Sequence, residues 1–117
     1  MSIDCFLGRT YNKDNYNCAH FVVEVWEHLT GVNIEDKMAG FLLPVEYRFV
    51  PFSLRRLFKK LDKPTGLCIV LMQRFGKEPH VGLYYKNRVL HITKQGVQYM
   101  PLEIATLGFN KIGFYTC

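Results

Sequence analysis

Just past its midpoint this chain changes the period of its hydrophobic pattern. Before the breaker Asp62-Lys63-Pro64-Thr65-Gly66, apolar residues recur at helical spacing. After it they fall into short runs of strand length, bounded by turn residues. Helix first and strands afterwards predict an α+β fold, in which a helix is laid across an antiparallel sheet. The 117 residues suit a single domain, 1–117. With 49% hydrophobic against 21% charged residues, they can bury a core.

The spacing predicts a helix over 18–30. Phe21, Val22, Val25, Trp26 and Leu29 make one apolar stripe, Asn17 is the N-cap and Gly31 the stop. A short helical turn is expected near Ile3–Leu7, and an irregular connector over 31–52, with Phe41-Leu42-Leu43-Pro44 as an apolar piece of it. Ser53 would cap a second, basic helix, Leu54–Leu61, with Leu54, Leu57, Phe58 and Leu61 inward. Beyond the breaker the pattern predicts about five strands, at 67–73, 79–85, 88–93, 96–100 and 112–116, forming a curled sheet. Lys86-Asn87 and Gln95-Gly96 read as tight turns, and 101–107 as one helical turn or a loop.

No apolar run approaches the ~20 residues needed to span a bilayer. The opening Met1-Ser2-Ile3-Asp4-Cys5-Phe6 has no basic-then-apolar leader pattern, so synthesis in a cytoplasm is the expectation. Cys5, Cys18, Cys68 and Cys117 contain no CxxC pair and are expected as free thiols, Cys68 in the core. The net charge of +5 gathers in Arg55-Arg56-Leu57-Phe58-Lys59-Lys60 and around Lys86, Arg88 and Lys94. It reads as solvated surface, since no aromatic-basic, finger or helix-turn-helix signature points to nucleic acid.

Cys18 would stand in the first turn of the helix, where unpaired N–H groups and the positive end of the dipole favour thiolate. His80 opens one strand and His91 lies on the next. With a turn at Lys86-Asn87, His80 falls opposite residue 93, so His91 projects from the same face as His80. Gly82 would let the helix approach the sheet. A nucleophile, an imidazole to carry its proton, and a third group to orient that imidazole make up a thiol hydrolase. His91 or Gln95 could be the third group. Each piece alone has a plainer reading: a buried cysteine at a helix start, His20 and His28 as surface or packing residues, the carboxylates as helix charges. A metal site from Cys18, His20 and His28 fails on spacing, and no cofactor is called for.

Tyr16-Asn17-Cys18-Ala19-His20-Phe21-Val22 resembles the cysteine segment of the NlpC-type cell-wall peptidases, a papain-like superfamily. His80-Val81-Gly82-Leu83-Tyr84-Tyr85, the turn at Lys86-Asn87 and Leu90-His91-Ile92 are similar to that family's histidine hairpin. The resemblance extends loosely over 6–31 and 66–100. It implies a papain-like fold with Cys18 as nucleophile, His80 as base and acid, and His91 as the orienting residue. Tyr11 or Tyr16, with the Cys18 N–H, would hold the oxyanion, and Asn17, His20 and Gln95 would border the substrate. The implied substrate is a peptidoglycan stem peptide. The implied carriers are phage-tail or effector-delivery proteins that bring the chain to the wall. Asn17 stands where the family usually has aspartate, and Ala19-His20 where it has serine-glycine; the bulky His20 could narrow the groove. Asn17-Cys18-Ala19-His20-Phe21 also resembles the cysteine segment of lecithin retinol acyltransferase-like proteins, which place the histidine before the cysteine. An acyltransferase or lipid hydrolase, and a non-catalytic virion component, are therefore the alternatives.

Overall fold

The computed structural model describes residues 3–13, 15–38 and 58–116. A 3-10 turn at Asp4–Phe6 leads, through an antiparallel bridge between Asn12 and Tyr16, into helix α1, Cys18–Thr30. Asn17 is extended and fully buried, and its Oδ1 accepts from the N–H groups of Ala19 (2.9 Å) and His20 (3.3 Å). His20 Nδ1 accepts in turn from the Asn17 N–H at 3.1 Å. A histidine thus fills the place that Glu or Gln takes in an ordinary capping box. Gly31, at φ +77°, ends the helix in the left-handed region. Phe21, Val22, Val25 and Trp26 are buried as their spacing requires, with Leu29 packed at the margin.

Six strands follow: β1 Lys59–Leu61, β2 Cys68–Gln73, β3 His80–Tyr85, β4 Arg88–Thr93, β5 Gly96–Pro101 and β6 Lys111–Thr116. A four-residue helix α2, Leu102–Ala105, joins the last two. The sheet is open and antiparallel throughout, in the order β1-β6-β2-β3-β4-β5. After β5 the chain crosses over and inserts β6 between β1 and β2. The five expected strands are all present, and β1 is the sixth. Residues 59–61, expected at the end of a basic helix, are the edge strand β1, paired with Phe114 to Thr116 of β6. Pairing with an open edge outweighs the local helical spacing, and exposed Lys59 and Lys60 are the charges that protect such an edge. The rest of that expected helix, 54–57, and the connector over 39–52 lie outside the described residues.

Alternation along the strands divides the core in two. Ile69, Leu71, Val81, Leu83, Leu90 and Ile92 face α1, which packs on β3 and β4. Val70, Met72 and Val89 face the other way, against Ala105, Phe109 and Phe114. β2 is buried on both faces from Cys68 to Met72, as its continuous apolar run requires. Lys86 (φ +50°) and Asn87 (φ +67°) form the two-residue turn of the β3–β4 hairpin, both in the left-handed conformation that matches strand twist.

Candidate active site

Regular pairing of β3 with β4 runs from Tyr85↔Arg88 to Leu83↔Leu90. Beyond it β4 leans onto Gly82. A Cβ there would lie 3.0 Å from His91 Cβ, 3.1 Å from the Leu90 oxygen and 3.1 Å from Val89 Cγ1. The space left by Gly82 is therefore taken by strand β4 and His91, not by the helix. It lets the His91 ring reach diagonally to His80, with His80 Nε2 and His91 Nδ1 2.8 Å apart and the ring centroids at 5.0 Å.

The two imidazoles differ in setting. His80 is half-buried and stacks on Phe109 at 6.3 Å, nearly parallel. His91 is 5% exposed, and burial pushes its pKa down to about 4. At neutral pH it is an uncharged ring. When His80 carries two protons, His91 Nδ1 must accept from His80 Nε2–H, so the His91 proton sits on its own Nε2. That Nε2 is buried with no hydrogen-bond partner among the described residues. A neutral acceptor on Nε2 fixes the His80 ring and leaves its Nδ1 as the other nitrogen able to exchange a proton.

The pair opens into a cleft of about 340 Å³, lined also by Tyr11, Thr93, Lys94, Gln95 and Phe109. A second recess, about 540 Å³, shares His80, Lys94 and Phe109 with it and adds Arg74, Gly76, Lys77 and Glu78. Both histidines belong to the strand rows that face away from α1, on the opposite side of the sheet from the helix that carries Cys18. Tyr11 packs against the helix-side core and also lines the histidine cleft, and the Asn12–Tyr16 bridge ties its segment to the start of α1. Cys18 is the first residue of that helix, 3% exposed, and lines none of the described cavities.

The other expected site residues divide. Tyr11 and Gln95 are in the histidine cleft, although the Gln95 amide oxygen accepts from the Thr93 hydroxyl at 3.2 Å. His91, not Gln95, is thus the group seen against His80. Tyr16 and His20 border a different recess, of about 280 Å³, with Val23, Glu24 and Glu27. His20 is held by the cap, and its ring stacks on Tyr16, so it does not narrow the histidine cleft. Tyr16 sits beside the Arg9–Glu24 ion pair, and burial, aided by Glu24, raises its phenol to about 12. Asn17 is spent on capping. Cys5 and Cys68 are free thiols alongside Cys18, and burial raises Cys68 to about 11.

Phe109 and Arg74 were not foreseen. Phe109 reaches His80 only because the β5–β6 crossover returns the chain past β2, an order that local pattern does not encode. Arg74 lies in the β2–β3 turn, six residues before His80, a position that draws no notice by itself.

No cluster of three or more His, Cys, Asp or Glu able to hold a metal occurs among the described residues. No helix among them is long and apolar enough to cross a membrane. The chain matches no family model, no curated protein and no solved structure.

Proposed function

We propose that this chain is a papain-like thiol hydrolase of NlpC type that cleaves an amide bond, with peptidoglycan stem peptide as substrate. The observation that carries the reading is the His80–His91 contact at 2.8 Å, in which a buried, neutral imidazole holds its half-exposed neighbour in a cleft that Tyr11 also lines. In this reading the Cys18 thiolate adds to the carbonyl carbon, and the resulting oxyanion is held by the Cys18 N–H with Tyr11. Collapse breaks the C–N bond while His80 gives its proton to the departing amine. Water, deprotonated by His80, then attacks the thioester, releasing the acid and restoring the thiol. His91 keeps the imidazole in place through both halves. Carriage by a phage tail or a delivery system would bring the protein to its substrate.

A lipid or acyl substrate is the second reading, favoured by Phe75, 94% exposed at the tip of the β2–β3 turn between Arg74 and Lys77. Incubation with muropeptides and with phospholipid vesicles, products read by mass spectrometry, separates the two. New amine and carboxyl termini from muropeptides, absent with Cys18→Ala and His80→Ala, are expected. Intact muropeptides together with hydrolysed lipid would overturn the peptidase reading, and no product from either would leave a binding protein.

A further inference from the structure

The recess on the Arg74 side of His80 is strongly one-signed. Arg74, Lys77 and Lys94 line it, and Glu78 is the one carboxylate among its described lining residues. None of the three cations has a carboxylate partner among the described residues. Arg74 is also fixed in place although exposed. Its Nε–H donates to the Gly108 carbonyl at 3.0 Å, and its guanidinium lies 4.9 Å from the centroid of Phe109, the same ring that stacks on His80. Gly108, at φ +82°, leaves room for it, since a Cβ there would stand 3.2 Å from Arg74 Nη2. The turn is pinned as well: Phe75 N–H donates to Asn110 Oδ1 at 2.8 Å, and Asn110 N–H to the Gln73 carbonyl at 2.8 Å. With Nε engaged, the two Nη groups are the fork that recognises a carboxylate.

We propose that the substrate carries a free carboxylate on its leaving fragment, docked on Arg74 with Lys77 and Lys94 flanking it. This rests on the hydrolase reading for its orientation. The departing amine must lie at His80 to receive a proton, so the fragment it belongs to continues past His80 into the Arg74 recess. Imidazole and guanidinium both rest on Phe109, at 6.3 and 4.9 Å from its centroid, which keeps them within roughly three residues of extended peptide at about 3.5 Å each. The carboxylate therefore belongs within that distance of the scissile bond.

The test uses two probes. Succinate, titrated into the Cys18→Ala protein and followed by NMR at the Arg74 Nε–H and the His80 ring, reads the anion site without any peptide. Muropeptides with free carboxylates, against the same muropeptides after amidation, read the substrate. Saturable succinate shifts that vanish in Arg74→Gln are expected. So is a preference for the carboxylate form of roughly 10- to 100-fold in Kd, the scale of a charge-assisted pair. Arg74→Gln should abolish this preference, and Lys94→Gln, which also lines the recess, should weaken it. Absence of succinate shifts, or equal binding of the two muropeptide forms, would overturn the proposal. So would loss of adsorption to phosphatidylglycerol vesicles in Arg74→Gln with no peptide preference at all. Binding with this preference but no turnover by the wild type would keep the anion site and dismiss the hydrolase. Turnover without preference would do the reverse.

Discussion

Burial of His91 makes stability depend on acid in a way that one substitution can isolate. In the folded protein its pKa is about 4, whereas the unfolded chain titrates near the ordinary 6.5. Between these values the unfolded state binds the extra proton and the folded state does not, so stability falls as pH drops. The contribution is whole above pH 6.5 and is lost progressively down to pH 4. At about 1.4 kcal/mol per pH unit, the loss between pH 7.5 and 4.5 is about 2–3 kcal/mol, a large part of what a domain of this size holds. Urea unfolding at both pH values, on wild type and on His91→Asn, gives the measurement. Asn keeps an acceptor for His80 and removes the titration. Carboxylate effects are common to both proteins, so the wild type should lose about 2–3 kcal/mol more than the variant. Parallel pH profiles would refute the argument, because they would mean that His91 is not held neutral by its surroundings.

Gly82→Ala would put a methyl group where His91 Cβ and the Leu90 oxygen now stand, costing about 1–3 kcal/mol. It should also part the histidine pair, seen as loss of the His80–His91 hydrogen-bond signature in imidazole ¹⁵N NMR and at least tenfold in turnover. Asn17→Ala removes both acceptor bonds of a buried cap and should lower stability by about 1–2 kcal/mol in thermal melts. Asn17→Asp, which keeps the acceptor, should recover much of it.

Local chemistry was legible where it acts locally. Asn17 and Gly31 bracket α1 at the residues the sequence singles out, and the Lys86-Asn87 turn sets the register that brings His80 and His91 to one face. β3 begins one residue later than expected and β6 one residue earlier, the ordinary blur of element ends. The role of His20 was within reach, since it stands three residues after an N-cap, the capping-box position, in a residue type that rarely fills it. What was not legible depends on partners distant in sequence. β1 is a strand only because β6 is beside it, and Phe109 meets His80 only through the crossover that inserts β6 next to β2. Arg74 gains meaning only from Gly108 and Phe109, more than thirty residues away in the chain.

The nucleophile itself gives the most direct test. Iodoacetamide labelling of Cys18, followed across pH by peptide mass spectrometry in wild type and in His80→Ala, reports whether thiol and imidazole act as a pair. The account predicts a wild-type labelling midpoint below the ordinary thiol value of about 8.5, moving upward once His80 is removed. A midpoint near 8.5 in both proteins would contradict it.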